Sequence, residues 1–199
     1  MMKKALKLLL STQAKATCWF IGIYALTMAI LIVFSNVIID DTLLIRNSII
    51  YAPKIYLLVM GIVYPLVAIK LYVSRGLTRK QFFWAYTGAI SIISLFLLIP
   101  ILTSIIYFDN ISLLSVITHY LHMPLFFLIG WSSVVGFQLR KWHMAIFGIL
   151  GAVVMFHAMT TLPGILALSE LAVLGSVLLL LAAVLLILPR IISQIPLKV

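Results

Sequence analysis

Six long apolar runs, separated by short polar segments, make up most of this chain. They cover residues 19–39, 55–73, 82–106, 114–137, 144–160 and 171–188. Each is close to the roughly 20 helical residues that cross a bilayer core of about 30 Å. None shows the alternation of a strand, and backbone groups in lipid must be satisfied within the segment. The pattern predicts an all-α polytopic membrane protein with six transmembrane helices.

A shorter amphipathic pattern precedes the first run. Leu6, Leu9, Leu10 and Gln13 follow helical spacing, with lysines around them in residues 2–16. An apolar stripe bordered by lysines is typical of a helix that lies in the membrane interface. We therefore expect an N-terminal interfacial helix, with a merely basic tail as the alternative. Residues 1–199 are then a single transmembrane domain.

Composition supports a membrane location. The chain is 65% hydrophobic and 9% charged, and a soluble domain of that composition would expose a largely apolar surface and aggregate. No cleavable targeting segment is evident, because Lys7 and Lys15 interrupt the first apolar stretch. Cys18 is the only cysteine, so an internal disulfide is impossible, and we predict that it is an ordinary residue of an apolar helix.

The charged residues alternate between the gaps and thereby predict the topology. With the N-terminus in the cytoplasm, all but two of the 14 basic residues fall inside. The inner set is Lys3, Lys4, Lys7, Lys15, Lys70, Arg75, Arg79, Lys80, Arg140, Lys141, Arg190 and Lys198. The outer set is Arg46, Lys54 and the four acids Asp40, Asp41, Asp109 and Glu170. By the positive-inside rule both termini are cytoplasmic in a multi-pass protein of the cell membrane. The basic residues would attract anionic lipids, and no nucleic-acid partner is expected.

Prolines and small residues mark bends and contacts within the predicted helices. Pro65, Pro100 and Pro124 lie inside apolar runs, where each removes a backbone hydrogen bond and can bend the helix. Small residues recur at helical spacing, which allows helices to approach closely. The pairs and triplets are Ala85 with Ala89, Ser132 with Gly136, and Gly148 with Gly151 and Ala152.

The familiar catalytic motifs are missing from the sequence. It contains no phosphate-binding loop, no dinucleotide fingerprint, no H-E-x-x-H pair and no G-x-S-x-G elbow. No carboxylate lies in the middle of an apolar run, so an intramembrane carboxylate site for protons or sodium is not supported. We therefore do not expect this chain to be an enzyme.

Three histidines are the candidate ligands of a metal or haem iron. His119 and His122 are three residues apart on the fourth predicted helix and share a face. His157 lies near the outer end of the fifth, at a similar predicted depth. Three imidazoles could bind a transition metal or haem iron. The alternative is that each ring hydrogen-bonds a nearby hydroxyl and binds no metal.

The turn between the second and third runs is the most distinctive polar segment. Gly76 can end one helix, and Thr78 is placed to cap the next. Arg75, Arg79 and Lys80 surround them, so we expect a short basic turn whose cations face water or a partner protein.

Three aromatic residues follow this turn. Phe82, Phe83 and Trp84 open the third apolar run directly after the basic residues. Aromatic side chains are enriched where membrane and water meet. We therefore expect these three to anchor the helix at the cytoplasmic interface.

The segment Arg75-Gly-Leu-Thr-Arg-Lys-Gln-Phe82 resembles one found in bacterial ABC exporter permeases of the six-span class. In that family a Gly, a hydrophobic residue, Ser or Thr, and Arg precede an aromatic residue between the second and third spans. An amphipathic N-terminal helix, six spans and two cytoplasmic termini are similar to the same pattern. The chain departs from it in a short segment at 161–170 and in the lack of an extracellular domain.

The resemblance implies a permease subunit of an ATP-driven exporter of peptides, lipids or other amphipathic molecules. Arg75, Gly76, Thr78, Arg79 and Lys80 would form the loop that couples to a separate cytoplasmic ATPase. That partner would hold the ATP and Mg²⁺, with no cofactor in this chain, and a second permease subunit would complete a homo- or heterodimer. The alternatives are a non-transporting immunity or assembly subunit of a larger complex and, third, a metal- or haem-binding protein.

Overall fold

The computed structural model describes residues 2–38, 42–108, 112–139, 142–160 and 169–195. These residues form six helices and no strand, which confirms the all-α prediction. The helices are α1 (Met2–Ile38), α2 (Thr42–Ser74), α3 (Arg79–Phe108), α4 (Leu113–Gln138), α5 (Trp142–Thr160) and α6 (Glu170–Ile192). Each predicted run falls within one helix, except that residue 39 lies outside the described residues.

Four helices contain segments long and apolar enough to cross a membrane. They are Ser48–Ser74, Arg79–Leu102, Leu113–Gln138 and Glu170–Ile192. The described part of α5 holds a shorter apolar stretch, Gly148–Ala158. The chain is therefore consistent with a multi-pass membrane protein, whereas six crossings, with α1 and α5 among them, stay a prediction.

Side-chain contacts show that α1 and α2 run in opposite directions. The hydroxyls of Thr17 and Tyr56 are 3.1 Å apart, and the Tyr24 hydroxyl donates to the carbonyl of Ser48 at 3.5 Å. Later residues of α1 thus meet earlier residues of α2. A short turn then reverses the chain into α3, so α1, α2 and α3 alternate in direction.

Two contacts show which helix ends lie together. Arg79, at the start of α3, donates from Nη1 to the carbonyl of Ser193 just after α6, at 2.8 Å. Ser112, just before α4, donates from Oγ to Glu170 Oε2 at the start of α6, at 2.5 Å. We call the end with Arg79 and Ser193 the basic end and the other the opposite end.

The predicted separation of charge agrees with this arrangement in the described residues. Arg75, Arg79, Lys80 and Arg190 lie at or near the basic end, and Glu170 lies at the opposite end. The other acids and Arg140, Lys141 and Lys198 fall outside the described residues. Assignment of the basic end to the cytoplasm stays a prediction.

Helix α4 is the centre of the bundle. Every residue from 122 to 131 is buried, so this stretch is enclosed on all its faces. Its neighbours are α2 and α5, with further contacts to α3 and α6, whereas α1 packs chiefly along α3. A helix that is apolar and buried all round belongs inside a bundle, and the other helices are arranged around it.

Helices α2 and α4 approach each other backbone to backbone. A Cβ added to Gly61 would overlap the carbonyl oxygen of Phe127, and one added to Gly130 would overlap that of Leu58. The two glycines therefore let the helices touch backbone to backbone, as small residues do in membrane bundles. Nearer the basic end, Gln138 Nε2 donates to the Pro65 carbonyl at 3.0 Å across the same pair.

The small residues noted in the sequence have unequal roles. A Cβ on Gly148 would lie 2.8 Å from the carbonyl oxygen of Ser132, so this residue permits the close packing of α5 on α4. A Cβ on Gly151 would meet nothing within 4 Å. The packing prediction is thus confirmed at Gly148 and wrong at Gly151. Pro65, Pro100 and Pro124 lie inside helices as predicted.

An aromatic cluster fills the space between α3 and α4 towards the basic end. Trp131 is at its centre, with ring centroids 5.2 Å from Phe83 and 5.8 Å from Phe82. Tyr86 and Phe127 complete the cluster, each 5.8 Å from Trp131. Such tilted and edge-on contacts are the favoured geometries of aromatic pairs, so the cluster fixes how these helices pack.

The cluster corrects one prediction. Phe82 and Phe83 were expected at the membrane interface, but both are fully buried in the core. Trp84 is 49% exposed and alone keeps a position compatible with the interface. The rings face inwards because α3 begins only three residues earlier and already packs against α4 at that level.

The N-terminal segment also differs from its prediction. Residues 2–16 continue without a break into the first apolar run as the single helix α1. The amphipathic pattern is present, since Leu9, Gln13 and Thr17 are buried and Lys7 and Lys15 are exposed. Its buried face joins the protein core, so the segment is not a helix separate from the first run, and its position in the membrane interface stays a prediction.

Substitution of Gly61 tests the α2–α4 contact. We expect Gly61→Ala to lower the free energy of unfolding by about 1–3 kcal/mol, because the new methyl group must push two helices apart. Gly151→Ala is the matched control, since its Cβ meets open space and alanine favours helix. Unfolding in mixed detergent and SDS would measure both, and equal stability of the two variants would contradict the contact.

Candidate functional site

The turn between α2 and α3 is closed by two backbone hydrogen bonds. Gly76 N donates to the carbonyl of Val73 at 3.0 Å, and Leu77 N to that of Tyr72 at 3.2 Å. Gly76 has φ 87°, the left-handed conformation that glycine adopts without strain. This is the Schellman pattern of a helix end, and its usual hydrophobic contact is represented here by the buried Leu77 and Tyr72.

A capping box starts α3 directly after the turn. Gln81 N donates to Thr78 Oγ1 at 3.2 Å, and Thr78 N donates to Gln81 Oε1 at 3.1 Å. The two side chains thereby satisfy two backbone donors that a helix start leaves unpaired. The predicted helix break at Gly76 and cap at Thr78 are confirmed. The turn is therefore hydrogen-bonded to the helix on each side of it.

The basic residues of the turn fall into two kinds. Arg75 and Lys80 are exposed, as expected for residues that face water or a partner. Arg79 is half-buried, its Nη1 bonds to Ser193, and its Nε is buried without a hydrogen-bond partner in the described residues. The structure thus uses Arg79 to join α3 to the end of α6, so the prediction that it faces outwards is wrong.

The histidines are only partly brought together. His119 and His122 share a face of α4, with ring centroids 6.3 Å apart. His157 is exposed on α5, beside Phe156. Among the described residues, no three His, Cys, Asp or Glu side chains lie close enough together to hold a metal ion. The geometry therefore gives the three-histidine hypothesis no support.

Lys54 contacts one of these two neighbouring histidines, His119. Its Nζ lies 3.2 Å from His119 Nδ1 and 5.2 Å from the centroid of the Tyr51 ring. Only 4% of the residue is exposed, whereas the sequence placed it in an outer loop. The signal was present: Ile49, Ile50, Tyr51 and Ala52 precede it, so the apolar helix already extends past the lysine on that side.

A groove of about 530 Å³ opens between α2, α4 and α5. Its walls are almost entirely apolar, with Leu58 and Ile62 from α2 and Phe156 from α5. Ser133 and His157 are the polar residues on its lining. Such a surface accommodates hydrocarbon better than ions.

Comparison with known protein families, with curated proteins and with solved structures finds no match to this chain.

Substitution of Gly76 tests the geometry of the turn. A side chain with Cβ costs about 1–2 kcal/mol at positive φ, and Asn tolerates that conformation better than branched residues. We expect Gly76→Val to lower the free energy of unfolding by about that amount and Gly76→Asn to lower it less. Since a Cβ here meets nothing within 4 Å, only the backbone conformation is tested. An equal loss of unfolding free energy in the two variants would contradict the left-handed conformation assigned to Gly76.

Proposed function

We propose that this chain is the permease subunit of an ATP-driven ABC exporter whose ATPase is a separate cytoplasmic protein. The observation that carries the proposal is the 75–80 turn, which is hydrogen-bonded to both flanking helices, carries the exposed Arg75 and Lys80, and lies at one end of an apolar bundle. A docking element needs this combination, because a flexible loop would absorb a push instead of passing it on to the helices.

The contacts of the turn suggest how a movement would spread. The Schellman pattern connects the turn to α2, the capping box connects it to α3, and Arg79 connects it to the end of α6. A displacement of the turn would therefore act on three helices at once. ATP binding in the partner could in this way reorient the helices, and hydrolysis could reset them, as alternating access requires.

The cargo and the pathway follow from the same proposal. The described centre of the chain is filled by α4 and the aromatic cluster, so a route for cargo would lie between two permease subunits or along the outside of one. The apolar groove beside α2, α4 and α5 suits the hydrocarbon part of a lipid, peptide or other amphipathic molecule.

Exposed charges of the turn provide the test. We expect Arg75→Glu with Lys80→Glu to abolish co-purification with the ATPase and to reduce coupled ATP hydrolysis, because an interface tolerates like charges poorly. Lys7→Glu with Arg190→Glu is the control, since it makes the same change in charge at exposed positions outside the turn. Arg79 is left intact because it holds Ser193.

Retention of the ATPase and of its stimulated turnover by the turn variant would overturn the coupling assignment. If the control variant also loses co-purification with the ATPase and coupled ATP hydrolysis, the effect is a general one of charge. That result would also count against the coupling assignment.

The second candidate function is a non-transporting membrane partner, such as an immunity or assembly subunit. The dense core favours it, because residues 122–131 are enclosed on every side in the described part of the chain. In that role the exposed Arg75 and Lys80 would bind another subunit without transmitting work. Proteoliposomes that contain the chain with its ATPase separate the two functions, since only a permease gives ATP-dependent movement of an amphipathic probe.

A further inference from the structure

Lys54 is a buried cation in the apolar part of the bundle. It lies six residues into the span Ser48–Ser74, which places it about 9 Å along the helix from the start of that span. It is 4% exposed and lies in the interface between α2 and α4. An ammonium group in such surroundings is costly unless other groups compensate its charge, and intramembrane cations therefore mark functional sites.

The described contacts of Lys54 supply polarity without negative charge. An ammonium group has three donors and no acceptor, so in that state His119 Nδ1 must accept the hydrogen bond at 3.2 Å. The Tyr51 ring adds a cation–π contact at 5.2 Å. These contacts account for one hydrogen-bond donor and leave the positive charge itself uncompensated by any described anion.

His122 adds polar atoms on the same side of α4. It lies one turn further along the helix than His119 and is 6% exposed. Neither of its ring nitrogens has a hydrogen-bond partner within the described residues. The His119 ring lies 6.3 Å from it between ring centroids, and Phe126 covers it from the next turn at 6.1 Å. A buried imidazole in this condition needs a hydrogen-bonding group that the described chain does not provide.

No described carboxylate faces this group of side chains. The part of the chain that the structure describes contains a single acid, Glu170, which accepts from Ser112 at the helix ends. Within the described residues, Lys54 contacts Tyr51 of its own helix and His119 of α4, and His122 lies one turn beyond His119. The group combines a positive charge with the unpaired ring nitrogens of His122, and an oxyanion complements both.

We propose that Lys54, His119 and His122 form a binding site for an oxyanion, the carboxylate or phosphate group of a small or amphipathic ligand. Lys54 supplies the charge, His119 orients the ammonium group, and His122 supplies a second hydrogen-bonding atom one turn deeper. The site does not depend on the proposed transport function, because it is defined by binding alone.

The test uses the full chain, labelled with ¹⁵N-histidine, in nanodiscs of phosphatidylcholine. Inorganic phosphate and octanoate are titrated separately, and the imidazole resonances are followed after assignment with His122→Gln. We expect a saturable shift of the His122 resonance and a rise in thermal stability with at least one of the two probes. A third sample contains phosphatidylglycerol and no added anion; the same shift there identifies a lipid headgroup as the source.

Substitutions at Lys54 decide the outcome. Lys54→Met should weaken binding by about tenfold or more, since a charge-assisted hydrogen bond is lost. Lys54→Arg should keep most of the affinity, and Lys15→Met, which removes an exposed lysine, should leave it unchanged. Both variants replace the native side chain, but only Lys54→Arg keeps its positive charge. A loss of affinity confined to Lys54→Met is therefore due to the loss of charge.

Two results would overturn the site. One is that neither titration gives a saturable shift of the His122 resonance and the phosphatidylglycerol sample gives no shift of it. The other is a titration of Lys54→Met that coincides with that of the unaltered protein.

Discussion

The backbone contact between α2 and α4 determines most of the remaining structure. Lipid gives no hydrophobic drive for helices to associate, so the closeness of packing decides which of them pair. Gly61 and Gly130 allow the two backbones to touch, because an added Cβ on either would lie only 2.0–2.2 Å from a backbone carbonyl oxygen of the other helix. On one side of this contact Lys54 meets His119, and on the other the aromatic rings close around Trp131.

Buried polar groups divide into two kinds, which have different meanings. Ser94, Thr118 and Ser133 donate to carbonyls three or four residues earlier in their own helices. Such hydroxyls are satisfied locally and indicate no pathway. His122 is buried with neither ring nitrogen bonded in the described residues, and Lys54 crosses to another helix for its partner. In a bundle this apolar, groups of the second kind are the informative ones.

The sequence predicted well whatever depends on local patterns. The length of the apolar runs located the helices, and the chemistry of Gly76 and Thr78 located the turn, because both are properties of short segments. It failed where the outcome depends on the partner helix. Nothing local distinguishes Gly61, which touches a neighbour, from Gly151, which meets open space.

The same reason explains the misplaced side chains. In the sequence Arg79 has the features of an exposed cation, but in the fold it bonds to Ser193 at the end of α6. Phe83 has the features of an interface anchor, but in the fold its ring packs against Trp131. Lys54 was assigned to a loop because a charge was taken to end an apolar run. In the structure the helix extends past it on both sides, and Lys54 contacts His119 of the neighbouring helix. Tertiary contacts, and not propensities, decide each of these cases.

Helix α1 has a consequence that follows from its length. With 37 residues in one helix it extends about 55 Å, against roughly 30 Å for the hydrocarbon of a bilayer. If α1 crosses the membrane, a rod of that length must tilt strongly or project beyond the lipid. Because it packs along α3, any tilt would be shared with that helix and with the turn at its start. The thickness of the membrane would then act on the bundle through lipid composition and without a ligand.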